Sequence, residues 1–254
     1  MGSALVKSLL SQGLVTADDL TVTDPDVKKL ATWKKIGVNT STDNDVAIAT
    51  DVLILAVKPQ SFPDLAKTLA GRLKENVIVL SIMAGINVKK IQQLLKHKKI
   101  ARAMPNTPAL VGAGVTGWFA GKELDKEEKK HIQDMLQSTG YAFPVGDESQ
   151  LDDVTAVYAC GTGFFYFLFE EWVKASKKFD LPAKDISPIL AKTLQGTLRL
   201  LESSGETPLE LLAKVASKGG ATEAGLKILE KAQLKKIFAK TMKAAYDRCK
   251  QMAK

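Results

Sequence analysis

Histidine and cysteine are scarce in this chain of 254 residues, with two of each: His97, His131, Cys160 and Cys249. Two cysteines far apart suggest neither a disulfide framework nor metal-ligand spacing. Both histidines sit in lysine-rich helical stretches, which argues against a histidine-centred mechanism or a zinc site. No apolar run approaches the length that crosses a bilayer. The N-terminus lacks the basic, apolar and small-residue succession of a signal peptide. These absences point to a cytosolic protein with no membrane partner. Aromatic residues make up only 6% and form no stacking platform, although the net charge is +8. From Ser217 to Lys254 there are ten Lys or Arg against three Asp or Glu, so most of the excess lies in the last helical stretch. A solvated helix face explains that charge better than nucleic-acid binding does.

What is present is an ordinary globular composition, 45% hydrophobic and 25% charged. In the first half, short apolar runs alternate with helical patterns, as in a parallel sheet wrapped by helices. Residues 1–12 read as a helix stopped by Gly13. Strands are expected at 20–23, 51–56, 76–81, 100–104, 115–120 and 141–145. A helix is expected over 124–138, opened by Asp125 with Glu128 three residues on. The runs at 51–56 and 76–81 are continuously apolar, as buried parallel strands are. After about Leu151 the strand signal stops. Helical patterns cover 154–179, 183–202, 208–216 and 222–252, with Thr207-Pro208-Leu209-Glu210 as a helix start. The chain therefore divides into an α/β domain, 1–150, and an all-helical domain, 151–254.

A doubly wound nucleotide-binding domain opens with a strand, a Gly-x-Gly-x-x-Gly turn and a helix facing the pyrophosphate. Here Gly2 stands where the third glycine would. The reading expects the preceding strand and first two glycines to be missing from the chain, with buried sheet edges left unpaired. Three further motifs end predicted strands: Ala56-Val57-Lys58-Pro59-Gln60, Ser81-Ile82-Met83-Ala84-Gly85, and Arg102-Ala103-Met104-Pro105-Asn106-Thr107-Pro108-Ala109. Open α/β sheets bind ligands at such carboxyl ends. A fourth, Ser217-Lys218-Gly219-Gly220-Ala221-Thr222, precedes the last long helix.

In this order and spacing the motifs resemble pyrroline-5-carboxylate reductase, over essentially the whole chain. The resemblance implies a Rossmann-type sheet with an all-α C-terminal dimerisation domain, a homodimer or assembly of dimers, and reduction of 1-pyrroline-5-carboxylate to L-proline by NAD(P)H. It places Gly2, Ser3 and Ala4 against the cofactor pyrophosphate and Asn44 near its adenosine end. Val57, Lys58, Pro59, Ala84 and Gly85 border the ribose and nicotinamide. Met104, Asn106 and Thr107 line the hydride-transfer cleft. Gly219, Gly220, Ala221 and Thr222 form the substrate loop, with Thr222 as the catalytic candidate. A glycine turn opening a helix suits a carboxylate, and Thr222 by residue type also suits a helix cap.

Asp24, after the second expected strand, is where an acid bonds the ribose 2′-hydroxyl and disfavours a 2′-phosphate. The resemblance favours NADPH, with Lys28, Lys29 and Lys34 nearby in sequence, and NAD is the other possibility. The chain departs from the family at Tyr158-Ala-Cys-Gly-Thr-Gly-Phe164, where Ser-Gly-Ser-Gly-Pro-Ala-Tyr is usual, and at Lys218, usually proline. Two alternatives stay open. One is a β-hydroxyacid-type dehydrogenase, whose catalytic lysine would be sought among Lys174, Lys177 and Lys178. The other is a non-catalytic paralogue acting as an oligomeric module.

Overall fold

The computed structural model describes residues 1–181 and 183–252, so the last two residues of the expected helical domain lie outside it. The chain forms two compact units, one comprising Met1–Thr162 with the chain's end from Ala245, the other Gly163–Ala244.

In the first unit, helix α1 (Gly2–Ser11) is followed by strand β1 (Thr21–Thr23), α2 (Val27–Lys34) and β2 (Asn39–Ser41). Then come β3 (Val52–Leu55), α3 (Phe62–Leu69), β4 (Ile78–Ser81), α4 (Val88–Leu95) and β5 (Ile100–Pro105). Strand β6 (Gly114–Ala120), α5 (Lys126–Gln137) and β7 (Gly140–Pro144) complete the sheet, and α6 (Gln150–Val154) runs into a π-helical turn at Thr155–Ala159. Strands β3, β4 and β5 are parallel neighbours, β6 is antiparallel to β5, and β7 is parallel to β6. All four residues of β4 are buried, because helices cover both faces of the sheet. On one face Leu53, Leu55 and Val79 pack with Phe62, Leu69, Ile91 and Leu95 of α3 and α4. On the other, Leu80, Ala103 and Trp118 pack with Leu5 of α1 and with Ile132 and Leu136 of α5. Helix α5 starts in the expected capping box, Asp125 and Glu128 bonding reciprocally to each other's backbone N–H.

Strands β1 and β2 form a separate parallel pair, and no ladder joins β1 to β3 among the described residues. Among the described residues β1 pairs only with β2 and β3 only with β4, and β1 itself is exposed to half-buried.

The second unit holds most of α7 (Cys160–Ser176), then α8 (Ile186–Ser204), α9 (Pro208–Val215), α10 (Ala221–Lys231) and the start of α11 (Leu234–Met252). Helix α9 opens on the expected Thr207/Glu210 box, with proline in its first turn. The single helix expected over 222–252 is corrected to two. Gln233 adopts φ 56° in the left-handed region, which ends α10 after Lys231. Large apolar side chains stand exposed on this unit, including Phe165, Phe167, Leu209 and Ile228. So much exposed apolar surface marks an association face. No helix among the described residues is long and apolar enough to cross a membrane.

Candidate active site

Because β3, β4 and β5 are parallel and in register, the segments that follow them emerge at one end of the sheet. After β3 come Val57 and Lys58, both exposed, and half-buried Pro59, with the Lys58 carbonyl accepting the Ser61 N–H at 2.9 Å. After β4, the Ile82 N–H donates to Leu55 O at 3.1 Å, extending that ladder, and Ala84 leads to Gly85, which turns with φ 73°. After β5, Asn106 precedes a 3-10 turn at Thr107–Val111 that closes on Gly112 at φ 71°. Met104 is half-buried and Thr107 exposed.

Helix α1 packs over this end. A β-carbon on Gly2 would lie 2.8 Å from the Ala56 Cβ, so only glycine lets the helix approach the end of β3 this closely. No side chain caps α1 and its first turn carries no acid. Its first N–H groups have no intrahelical partners, and the positive end of its dipole meets the strand ends. Gly2 and Ser3 are accessible there and Ala4 is buried beneath them. This arrangement fits a pyrophosphate.

Asp24 follows β1, and its carboxylate is already engaged. It accepts the Asp26 N–H at 2.8 Å and pairs with Lys29 Nζ at 3.2 Å. Asn44 opens a short 3-10 turn, Asn44–Ile48, whose next residue Asp45 is gripped by both guanidinium nitrogens of Arg72, at 2.7 and 2.9 Å. The Arg72 hydrogen bonds hold the Asp45 carboxyl below its ordinary range.

Asn106 is 93% buried, and both ends of its amide are used within the protein. Its Oδ1 accepts the Val115 N–H at 2.9 Å and its Nδ2 donates to the Tyr158 carbonyl at 3.3 Å. Four residues earlier, within β5, Arg102 points to the opposite face from Ala101 and Ala103 and pairs with Glu148, which also accepts the Val88 N–H at 2.8 Å. One carboxylate thus ties β5, the start of α4 and the approach to α6 together. Sequence reasoning passed over this tie, although an arginine inside an apolar strand signals that a partner is needed. Asp152 lies in the same neighbourhood. Burial pushes its carboxyl up, and the Arg102 and Lys250 charges oppose that shift. His97, buried, bonds the Val77 carbonyl through Nε2 at 2.6 Å, a structural tie.

The glycine loop belongs to the second unit. Gly219 has φ 75°, and a β-carbon on Gly220 would fall 2.6 Å from Ser217 Oγ. Gly220 is the N-cap of α10, so Thr222 is the second helical residue and the capping expectation is corrected. The helix begins two residues earlier than a cap at Thr222 would give, and with glycine at the cap no side chain caps it. The Gly219 N–H donates to Glu223 Oε2 at 2.9 Å and the Gly220 N–H to Ser217 O at 2.9 Å. Ala221 and Thr222 carry the N–H groups left for a ligand. Among the described residues the exposed Thr222 hydroxyl has no hydrogen-bond partner. No cluster of His, Cys, Asp or Glu among the described residues has the makings of a metal site.

A glycine-led helix over the carboxyl ends of a parallel sheet, joined in one chain to a helical association unit, is the arrangement of a dinucleotide-binding protein. Comparison with known proteins agrees and sharpens the class. Residues 1–85 match the family "NADP oxidoreductase coenzyme F420-dependent", and residues 148–252 match "Pyrroline-5-carboxylate reductase dimerisation". The pyrroline-5-carboxylate reductase of Pasteurella multocida is 34% identical, over 100% of this chain and 94% of the relative. The structure of a pyrroline-5-carboxylate reductase from Coxiella burnetii superposes with a TM-score of 0.87 at 30% identity, covering 100% and 95% of the two chains. That of the Plasmodium falciparum enzyme with NADP bound gives 0.89 at 26% identity, with the same coverage. The chain belongs to the pyrroline-5-carboxylate reductase family. It is an oxidoreductase, and its helical region is a dimerisation domain that makes the protein a homodimer or larger homo-oligomer.

Proposed function

We propose that this protein reduces 1-pyrroline-5-carboxylate to L-proline with NADPH, and that residues 1–150 bind the cofactor while 151–254 supply the substrate loop and the dimer contact. The reading rests above all on the Gly2–Ala56 approach. It brings an uncapped helix start to the strand ends, as a pyrophosphate requires. Gly2, Ser3 and Ala4 hold that group. Asn44 lies toward the adenosine end. Val57, Lys58, Pro59, Ala84, Gly85 and Thr107 border the ribose and nicotinamide.

Asp24 is the local argument for NADH, since a free carboxylate there repels a 2′-phosphate. Its pairing with Lys29 neutralises that charge. NADPH is thus compatible with the site, and the Plasmodium falciparum enzyme was solved with NADP bound.

The substrate carboxylate is received at the start of α10, where Ala221 and Thr222 offer N–H groups and the helix dipole favours an anion. The Thr222 hydroxyl, without a partner among the described residues, is the candidate to hydrogen-bond the ring nitrogen, and Met104 is the candidate to line the cleft. When bound, NADPH supplies the hydride. The protonated imine is already electrophilic, so the chain's tasks are to orient the ring and keep water away. The protein acts in the cytoplasm.

The lysine reading of a β-hydroxyacid-type dehydrogenase loses ground on one observation. Lys174 is exposed and paired with Glu171 at 2.8 Å, as a solvated helix face would have it. Purified protein should consume NADPH or NADH when 1-pyrroline-5-carboxylate is added, followed by the nicotinamide absorbance. Absence of turnover with both cofactors refutes the proposal.

A further inference from the structure

Asn106 stands at the carboxyl end of β5, where a residue able to contact a cofactor would be sought, yet its amide faces the protein. The acceptor end takes the Val115 N–H and the donor end reaches the Tyr158 carbonyl. Its backbone adds a second bridge to the same strand, the Asn106 N–H donating to Val115 O at 3.3 Å. Side chain and backbone thus clamp three segments: the end of β5, the start of β6 and the turn at Thr155–Ala159.

That turn is π-helical, with the Cys160 N–H bonded back to Thr155 O. Such widened turns are uncommon and concentrate at functional sites. Tyr158 is fixed from its other side as well, its ring meeting Phe143 edge-on at a centroid distance of 5.8 Å. Phe143 in turn packs on Tyr141 at 6.0 Å. The turn launches α7, and Tyr158 and Cys160 are where this chain departs from the usual small residues of its family.

We propose that Asn106 is a positioning residue for hydride transfer, acting through the Tyr158 carbonyl to fix the π-turn against the strand end that carries Met104, and not a ligand of the cofactor. The proposal rests on the reading of that strand end as part of the active site. An asparagine is required because one side chain must both accept from Val115 and donate to Tyr158. Aspartate keeps the size and the acceptor but sets a second oxygen against the carbonyl. Protonation of that carboxyl restores a donor.

The test uses the full-length protein, with Asn106→Asp, Asn106→Ala and Tyr158→Ala. NADPH affinity is measured by fluorescence titration, and kcat and KM for 1-pyrroline-5-carboxylate across pH. A buried hydrogen bond lost from the transition-state geometry lowers the rate by about tenfold. Asn106→Asp should lose that factor in kcat near neutrality and recover toward the wild-type rate as pH falls, while NADPH Kd stays within about threefold. Asn106→Ala should lose the same factor with no recovery. Tyr158→Ala, which frees the turn from Phe143 and leaves Asn106 intact, should lower kcat with NADPH Kd unchanged, and it carries the test if the Asn106 variants fail to fold. A matching loss in NADPH affinity and rate for Asn106→Asp, or wild-type kcat in all three variants, overturns the proposal. If the wild-type protein turns over no 1-pyrroline-5-carboxylate, the reading of the site fails first and the proposal falls with it.

Discussion

Replacing Gly2 by alanine probes the contact on which the cofactor assignment rests. The added methyl would sit 2.8 Å from the Ala56 Cβ, whereas carbon atoms pack at about 3.5–4.0 Å. One of the two elements must therefore retreat by roughly 1 Å. The neighbour is a β-carbon fixed to its backbone, so no flexible side chain absorbs the clash. Gly2 has no positive φ, so the penalty is steric and carries no dihedral strain. Overpacking of this kind costs about 1–3 kcal/mol. The same retreat moves the N–H groups of Gly2 and Ser3 away from the phosphate, so NADPH affinity should weaken by about tenfold or more. Ala56→Gly in the same chain removes the opposing methyl. In a double-mutant cycle it should restore most of the lost affinity and stability, giving a coupling above about 0.5 kcal/mol. The assays are urea unfolding and NADPH titration by fluorescence. Unchanged affinity in Gly2→Ala, or strictly additive effects with Ala56→Gly, refutes the reasoning.

Three further outcomes are expected. Thr222→Ala removes a hydroxyl with no structural bond, so its unfolding midpoint should match wild type while turnover of 1-pyrroline-5-carboxylate falls; an unaffected rate removes Thr222 from the mechanism. Glu148→Gln leaves the Arg102 guanidinium, whose Nε is already buried without a partner among the described residues, without its ion-pair partner. Because Glu148 is a quarter exposed, the cost in urea unfolding should be about 2 kcal/mol, below that of a fully buried pair, and a variant as stable as wild type would show that the pair contributes nothing. Asp152 has its folded pKa raised, chiefly by burial, so it binds its proton more tightly folded than unfolded and the fold is favoured as pH falls through that value. Asp152→Asn should therefore stabilise the protein near neutral pH and lose that advantage in acid, as thermal midpoints across pH would reveal; a variant destabilised near neutrality would mean that the Arg102 and Lys250 charges outweigh burial.

Local signals were legible in the sequence and long-range ones were not. The Asp125 and Thr207 boxes involve residues three apart, so composition alone located both helix starts. The buried parallel strands were visible as apolar runs. Strand β2 was not, because Asn39-Thr-Ser41 has no apolar alternation and is strand only by pairing with β1. The break between α10 and α11 was hidden because Gln233 is a good helix former and only its left-handed backbone ends the helix. Thr222 looked like a cap by residue type, but Gly220 takes that place. Asn106 was placed in the cleft by its motif, while its bonds reach residues 9 and 52 positions away and follow only from the fold.

The scarcity of histidine and cysteine acquires a physical sense from this site. Bond-breaking that needs a proton delivered in the transition state calls for a tuned acid or base. Hydride addition to a protonated imine calls instead for two reactants held in line and dry. The groups found at the strand ends are suited to that lesser chemical demand. In the first unit they are backbone N–H groups at the start of α1, a glycine that permits close approach, and an asparagine clamp between segments; the second unit by itself offers the N–H groups at the start of α10. None of them titrates near neutrality, so the chemical step should owe little of its pH dependence to them. The corollary is a shift in where the protein is vulnerable. Errors in backbone placement at Gly2, Asn106 or Gly220 should cost more turnover than changes to exposed charges such as Lys58, because orientation by backbone has no nearby side chain to take over the role.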